Sequence, residues 1–166
     1  MKIMKKPATL VLTVLLAATM FASHPVAASA ASVYATINGG GTALMGTPGH
    51  AVGVSSFGIH ATLYVGGSAQ GQFDCVDQMG DATGAGNIFG DITSWSQNTD
   101  GTVNLYVTNG KFVNIPGGHP ASTSFTITIQ SYGGAGVGHW TLTLTPSGFL
   151  VCYELVTSGQ IVSRTS

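Results

Sequence analysis

Charge is scarce in this 166-residue chain: five Lys and Arg with six Asp and Glu make up 7% of it. Three of the basic residues, Lys2, Lys5 and Lys6, stand at the very start. Residues 31–166 therefore hold only Lys111 and Arg164 against Asp74, Asp77, Asp81, Asp91, Asp100 and Glu154. Two cations cannot neutralise a row of phosphates, which argues against nucleic acid as a partner and, for the same reason, against an anionic membrane surface. Cysteine is limited to Cys75 and Cys152. No H-E-x-x-H, G-x-S-x-G or C-x-x-C occurs, so the usual zinc-protease, serine-hydrolase and dithiol signatures are missing. Past residue 30 there is neither a run apolar enough to cross a bilayer nor an i, i+3, i+4 stripe long enough for a helix.

What is present begins with MKIMKKPATLVLTVLLAATMFASHPVAASAAS, where lysines precede an apolar stretch centred on Leu10 to Phe21 and small residues follow it. That pattern reads as a secretory signal peptide over residues 1–30, with Ala28 and Ala30 before a cleavage site and the mature chain beginning near Ala31. No lipobox-like cysteine follows the apolar run. The expected location is secreted, outside the cell. Residues 31–166 suffice for one domain that buries roughly two thirds of its unfolded surface. A chain that is 44% hydrophobic does not read as disordered despite its low charge.

The pattern of that domain has a period of two. Phe57, Ile59, Ala61 and Leu63 alternate with polar residues or glycine, as do Val103, Leu105 and Val107. Phe125, Ile127 and Ile129 alternate with Thr126 and Thr128, and Trp140, Leu142 and Leu144 with Thr141, Thr143 and Thr145. Such alternation indicates antiparallel strands with one wet face. Further strands are expected at 33–38, 70–76, 87–95, 110–115, 149–156 and 160–163. Turns are expected at Gly66-Gly67, Asn98 to Gly101, Asn109-Gly110, Pro116 to Gly118, Pro146 to Gly148 and Ser158-Gly159. The fold class is all-β: a single antiparallel β-barrel or two-sheet sandwich of about eight to nine short strands. Closure is attractive because open edges on a nearly uncharged protein invite aggregation.

The five glycines of TITIQSYGGAGVGHWTLTL suggest a phosphate cradle only if a helix follows them, and Trp140 onward alternates as a strand. They are expected to turn the sheet around, as are Gly84-Ala85-Gly86 and Gly39-Gly40-Gly41.

With the strands placed, several motifs fall in a suggestive order: GGGT at Gly39 to Thr42, FGIHATLYVGGSAQGQFDCVD at Phe57 to Asp77, GDITSW at Gly90 to Trp95, SFTITI at Ser124 to Ile129 and SGQI at Ser158 to Ile161. In that order the chain resembles the post-COAP-1 domain, a module of exported bacterial proteins. The chain departs from the family where acidic residues are usual, reading Gln130-Ser131-Tyr132 and His139 instead. The resemblance implies an exported β domain, here standing alone, and carries no catalytic residue.

Among candidate sites, Cys75 and Cys152 in an oxidising compartment are expected to form a disulfide, worth about 4 kcal/mol in the chain-entropy picture. The alternative is two separately buried thiols, because pairing needs neighbouring strands. Asp74, Asp77 and Asp81, with Asp91 beyond them, offer oxygen to calcium, but their spacing matches no calcium loop; the plainer expectation is that they solubilise a glycine-rich loop and that there is no metal. Asp74 and Glu154 are the pair a carboxylate-dependent glycan hydrolase would need. His50, His60, His119 and His139 fall at no metal-binding interval. Trp140 reads as core. Trp95 and Tyr132, at strand ends, are the better candidates for an exposed ligand contact.

The function these features suggest is a secreted, non-catalytic binding or structural module without cofactors. Its partner is an extracellular glycan, protein or small molecule that the sequence does not name. The alternatives are a lipocalin-like barrel around a small apolar ligand and, behind it, the glycan hydrolase.

Overall fold

The computed structural model describes residues 31–49, 52–78, 85–115 and 118–166, and no helix occurs among them. The strands are β1 (Val33–Gly46), β2 (Gly53–Tyr64), β3 (Ser68–Asp77), β4 (Ala85–Gln97), β5 (Val103–Ile115), β6 (Ala121–Ser131), β7 (Gly133–Gly134), β8 (His139–Leu144) and β9 (Leu150–Thr165). Eight of them pair antiparallel in the order β1-β2-β3-β4-β5-β6-β8-β9, and β9 pairs back onto β1. The two-residue β7 is an extra strand on β9. The closing ladder runs from Ala35 opposite Thr165 to Gly46 opposite Tyr153, which makes the domain a closed barrel and not a sandwich.

Alternation decides what enters the lumen. Phe57, Ile59, Ala61 and Leu63 of β2 are buried, as are Phe125, Ile127 and Ile129 of β6 and Trp140 and Leu142 of β8; Thr62, Thr126, Thr128, Thr141 and Thr143 face outward. Phe57 and Phe73 come from strands on one side of the barrel, Phe125 and Trp140 from the other. Their rings meet in the middle, with centroids 5.7 Å apart for Phe57–Trp140, 5.2 Å for Phe73–Trp140 and 5.9 Å for Phe73–Phe125. Tilted and edge-to-face contacts of this kind add about 1 kcal/mol each to the area they bury.

Several expected turns are interior to strands. Gly39-Gly40-Gly41 lies within β1. Asn109-Gly110 and Ser158-Gly159 lie within β5 and β9, so four of the short strands read from the sequence merge into two long ones. The register slips at these places, between Val107 and Gly110 against β6 and at Thr42/Ala43 of β1 against β9. These are bulges, which bend a long strand around a small barrel while keeping its pairing. Gly159 shows why glycine is needed: it has φ 77°, and a Cβ there would collide with the carbonyl oxygen of Gly40 on β1. Gly84 lies outside the described residues, and Ala85-Gly86 already belong to β4.

The glycine cluster after β6 turns the chain without a helix. Val137 and Gly138 donate their N–H groups to the Gly134 carbonyl (3.1 and 2.9 Å), Gly136 donates to the Val156 carbonyl (2.8 Å), and β8 begins at His139. At the β4–β5 turn Asp100 Oδ1 accepts from the Thr102 N–H (3.0 Å) and hydroxyl (2.7 Å), and these bonds hold its carboxyl below the usual range.

Gly159→Ala is expected to cost more than about 2 kcal/mol, since it adds a collision to left-handed strain. Gly136→Ala, at φ 75° with open space around it, is expected to cost about 1 kcal/mol. Urea unfolding of the two variants distinguishes them; equal losses would mean that the β1–β9 approach is not tight.

Candidate functional site

The barrel wall divides the polar residues into two sets. Inside, Glu154 on β9 and Ser55 on β2 are both 0% exposed. Glu154 stands opposite Met45 of β1 and Trp140 of β8, and Ser55 opposite Ala43 and Asp77. The Ser55 hydroxyl donates to Glu154 Oε2 (2.8 Å) and the Cys75 thiol to Oε1 (3.9 Å); Cys152 bonds the same carboxyl. This cluster lies toward the end of the barrel that carries the β1–β2, β3–β4, β5–β6 and β8–β9 connections. Nearby in register, the Trp140 indole N–H is buried with no hydrogen-bond partner.

Burial pushes the Glu154 carboxyl up to about 7, against the pull of the Ser55 and thiol hydrogen bonds and with a further push from the charge of Asp77. Burial also raises both thiols well above their ordinary range, and the Glu154 charge raises them further. Thiols held protonated in this way are poor nucleophiles and poor metal ligands.

The expected disulfide is absent: Cys75 and Cys152 are free and buried. The reason is topological. Cys75 on β3 is laddered to Phe57 and Ile88, and Cys152 on β9 to Leu142; two whole strands, β1 and β2, separate β3 from β9. Both side chains point into the lumen and meet the Glu154 carboxyl between them.

Outside, a row of side chains crosses four strands. Asn38 of β1 stands opposite His60 of β2, His60 opposite Gln72 of β3, and Gln72 opposite Asp91 of β4. His60 Nδ1 donates to Asn38 Oδ1 (2.6 Å), and Gln72 Nε2 donates to Asp91 Oδ1 (3.4 Å). With Nδ1 carrying the proton, Nε2 of the neutral ring is an acceptor. A second row sets Thr36 opposite Thr62 and Thr62 opposite Gln70. Between β3 and β4 the register slips from Ser68/Ser94 to Gly71/Ile92. The wall opens there into a groove of about 670 Å³ lined by His60, Thr62, Gln70, Gln72, Asp91 and Thr93. A smaller recess of about 200 Å³ shares Gln72 and Asp91 with it and continues to Asp74 and Phe89. Gly71 forms part of the groove, and a Cβ there would strike the His60 carbonyl, so the β2 and β3 backbones nearly touch beneath it.

Trp95 gives one face to Tyr34 (centroids 4.7 Å, 25° between planes) and its N–H to the Tyr64 carbonyl (2.9 Å). Tyr132 is half-buried against the core and bonded to Ser163, and burial raises its hydroxyl above the ordinary range. Both aromatics are thus engaged in packing at the barrel end away from Glu154. Asp74 is exposed on the outer wall, while Asp77, three residues on, falls on the other face opposite Ser55; Asp81 lies outside the described residues. Among the described residues no three His, Cys, Asp or Glu side chains are placed to hold a metal ion. His60 and His119 are exposed, His139 opens β8, and His50 lies outside the described residues. Asp74 and Glu154 stand on opposite sides of the wall, so they cannot flank one glycosidic bond. Phe89 and the Asn38–His60–Gln72–Asp91 row have no sequence signature, since cross-strand register alone creates them.

Comparison with family models, with curated proteins and with solved structures finds nothing that matches this chain. The post-COAP-1 resemblance therefore rests on motif order alone.

Two outcomes follow from the lumen. A carboxyl whose folded pKa lies above its unfolded value of 4.5 favours the fold while protonated. Its contribution is complete below pH 4.5 and declines as pH rises through about 7, a loss of about 3 kcal/mol. Urea unfolding from pH 5 to pH 8 should show that decline, and Glu154→Gln should flatten it; an unchanged slope in the variant would remove Glu154 as its source. Iodoacetamide should leave Cys75 and Cys152 unmodified in the folded protein and label both after denaturation without reductant, whereas no labelling after denaturation would mean that they are crosslinked.

Proposed function

We propose that this chain is an exported, non-catalytic binding module whose working surface is the outside of the barrel. The observation that carries this is the filled lumen, where Phe57, Phe73, Phe125 and Trp140 touch across the middle and each is at most 6% exposed. A lipocalin-like chamber needs that space for its ligand. The outer wall instead presents neutral hydrogen-bonding side chains in register, with a groove between β3 and β4. The separation of Asp74 from Glu154 by the wall supports a role without hydrolysis. The N-terminal pattern of lysines, apolar stretch and small residues supports export, as does the motif order that resembles the post-COAP-1 domain.

The secreted form, purified under native conditions, is expected to start near Ala31 and to show a mass without apolar ligand. It should also leave a fluorescent fatty-acid probe unbound. Saturable binding of that probe, lost when Phe73 is enlarged to Trp, would overturn this function in favour of a lipocalin-like barrel. Turnover of a glycan panel that vanished with Asp74→Asn would overturn its non-catalytic character.

A further inference from the structure

We propose that the groove along the β3–β4 seam binds a neutral oligosaccharide, with Gln70, Gln72, Asp91 and His60 reading its hydroxyls and Phe89 backing a sugar ring. This rests on the outer wall being the working surface, and it names the site and the ligand class.

The groove has the elements such a ligand requires. A sugar hydroxyl is both donor and acceptor, and it is recognised best by planar groups that supply both roles at fixed positions. Gln70 and Gln72 offer both roles, Asp91 accepts, and His60 offers its second ring nitrogen, Nε2, while Nδ1 is bonded to Asn38. The Asn38–His60 hydrogen bond orients the imidazole before a ligand arrives, which lowers the entropy cost of binding, and a longer contact joins Gln72 to Asp91. Phe89 stands opposite Asp74 at the far end of the seam, half-buried, where its ring offers an apolar face to the C–H side of a pyranose.

Charge selects the class. The combined groove is lined by two carboxylates, Asp74 and Asp91, and by no cationic side chain. Lys111 lies opposite Phe89 on β5, but its ammonium turns the other way and donates to Ser122 Oγ on β6 (2.9 Å). An anionic polysaccharide would meet unpaired like charge, whereas a neutral one can give its hydroxyl protons to both carboxylates. Gly71 lets the β2 and β3 backbones converge beneath the groove, where a Cβ would strike the His60 carbonyl.

The test is titration calorimetry of the secreted protein with cellohexaose, xylohexaose and chitohexaose, and with hexagalacturonate as the acidic counterpart. At least one neutral hexasaccharide is expected to bind and the acidic one to bind at least about tenfold more weakly. Gln72→Ala and Asp91→Ala, both exposed positions, should each weaken binding about five- to tenfold, while Thr141→Ala on the opposite wall leaves it unchanged. Phe89→Ala should abolish it, with circular dichroism and melting confirming the fold. Binding of a neutral sugar that is equal in all four variants would overturn the groove yet leave a binding module intact. No binding by any neutral sugar, or preference for the acidic one, would overturn the proposal outright. Neither result depends on the fatty-acid probe, so failure of the groove and failure of the filled lumen remain separable.

Discussion

The ladder between β1 and β9 is the constraint on which the rest of this structure depends. Without it, both strands would be long unpaired edges on a sheet that has almost no charge to discourage association. With it, eight strands enclose a lumen, and each strand must send alternate residues inward. The glycines at 39–41 and Gly159 belong to this ladder: they let two long, bent strands approach closely enough to pair through a bulge. Their abundance therefore reflects the geometry of closure and not a ligand loop.

Closure also separates two chemistries by the thickness of one strand. On the inner side a carboxyl, a hydroxyl and two thiols hydrogen-bond to one another. Desolvation raises the pKa of a buried acid in that position to about 7, and its hydrogen bonds offset only part of the cost. On the outer side the same register lines up Asn38, His60, Gln72 and Asp91 around the curve of the barrel. The inner set is buried in the lumen, and His60, Gln72 and Asp91 of the outer set are exposed.

The sequence made the inner faces of β2, β6 and β8 plain, because Phe57 to Leu63, Phe125 to Ile129 and Trp140 to Leu142 alternate without interruption. Trp140 as core and the glycine cluster before it as a turn were legible for the same reason. What sequence pattern misjudged was where strands end. Asn109-Gly110 and Ser158-Gly159 have the composition of hairpin turns, yet within a closed barrel a bulge has the same local need for glycine. Cysteine pairing was misread because proximity across a lumen depends on barrel order, which β3 and β9 do not reveal locally. The groove was hidden for a related reason: His60, Gln72 and Asp91 are far apart in the chain, and only the register, including the slip between Ser68 and Gly71, sets them side by side.

Amide hydrogen exchange along β1 and β9 tests closure most directly. If the barrel is closed, the amides of Ile37 to Gly39 and of Ile161 to Ser163 that point toward the partner strand will be as strongly protected as those at the centre of β6. Rapid exchange at both sets while β6 and β8 stay protected would show an open sheet, and the division of the molecule into an enclosed apolar lumen and a polar outer wall would fall with it.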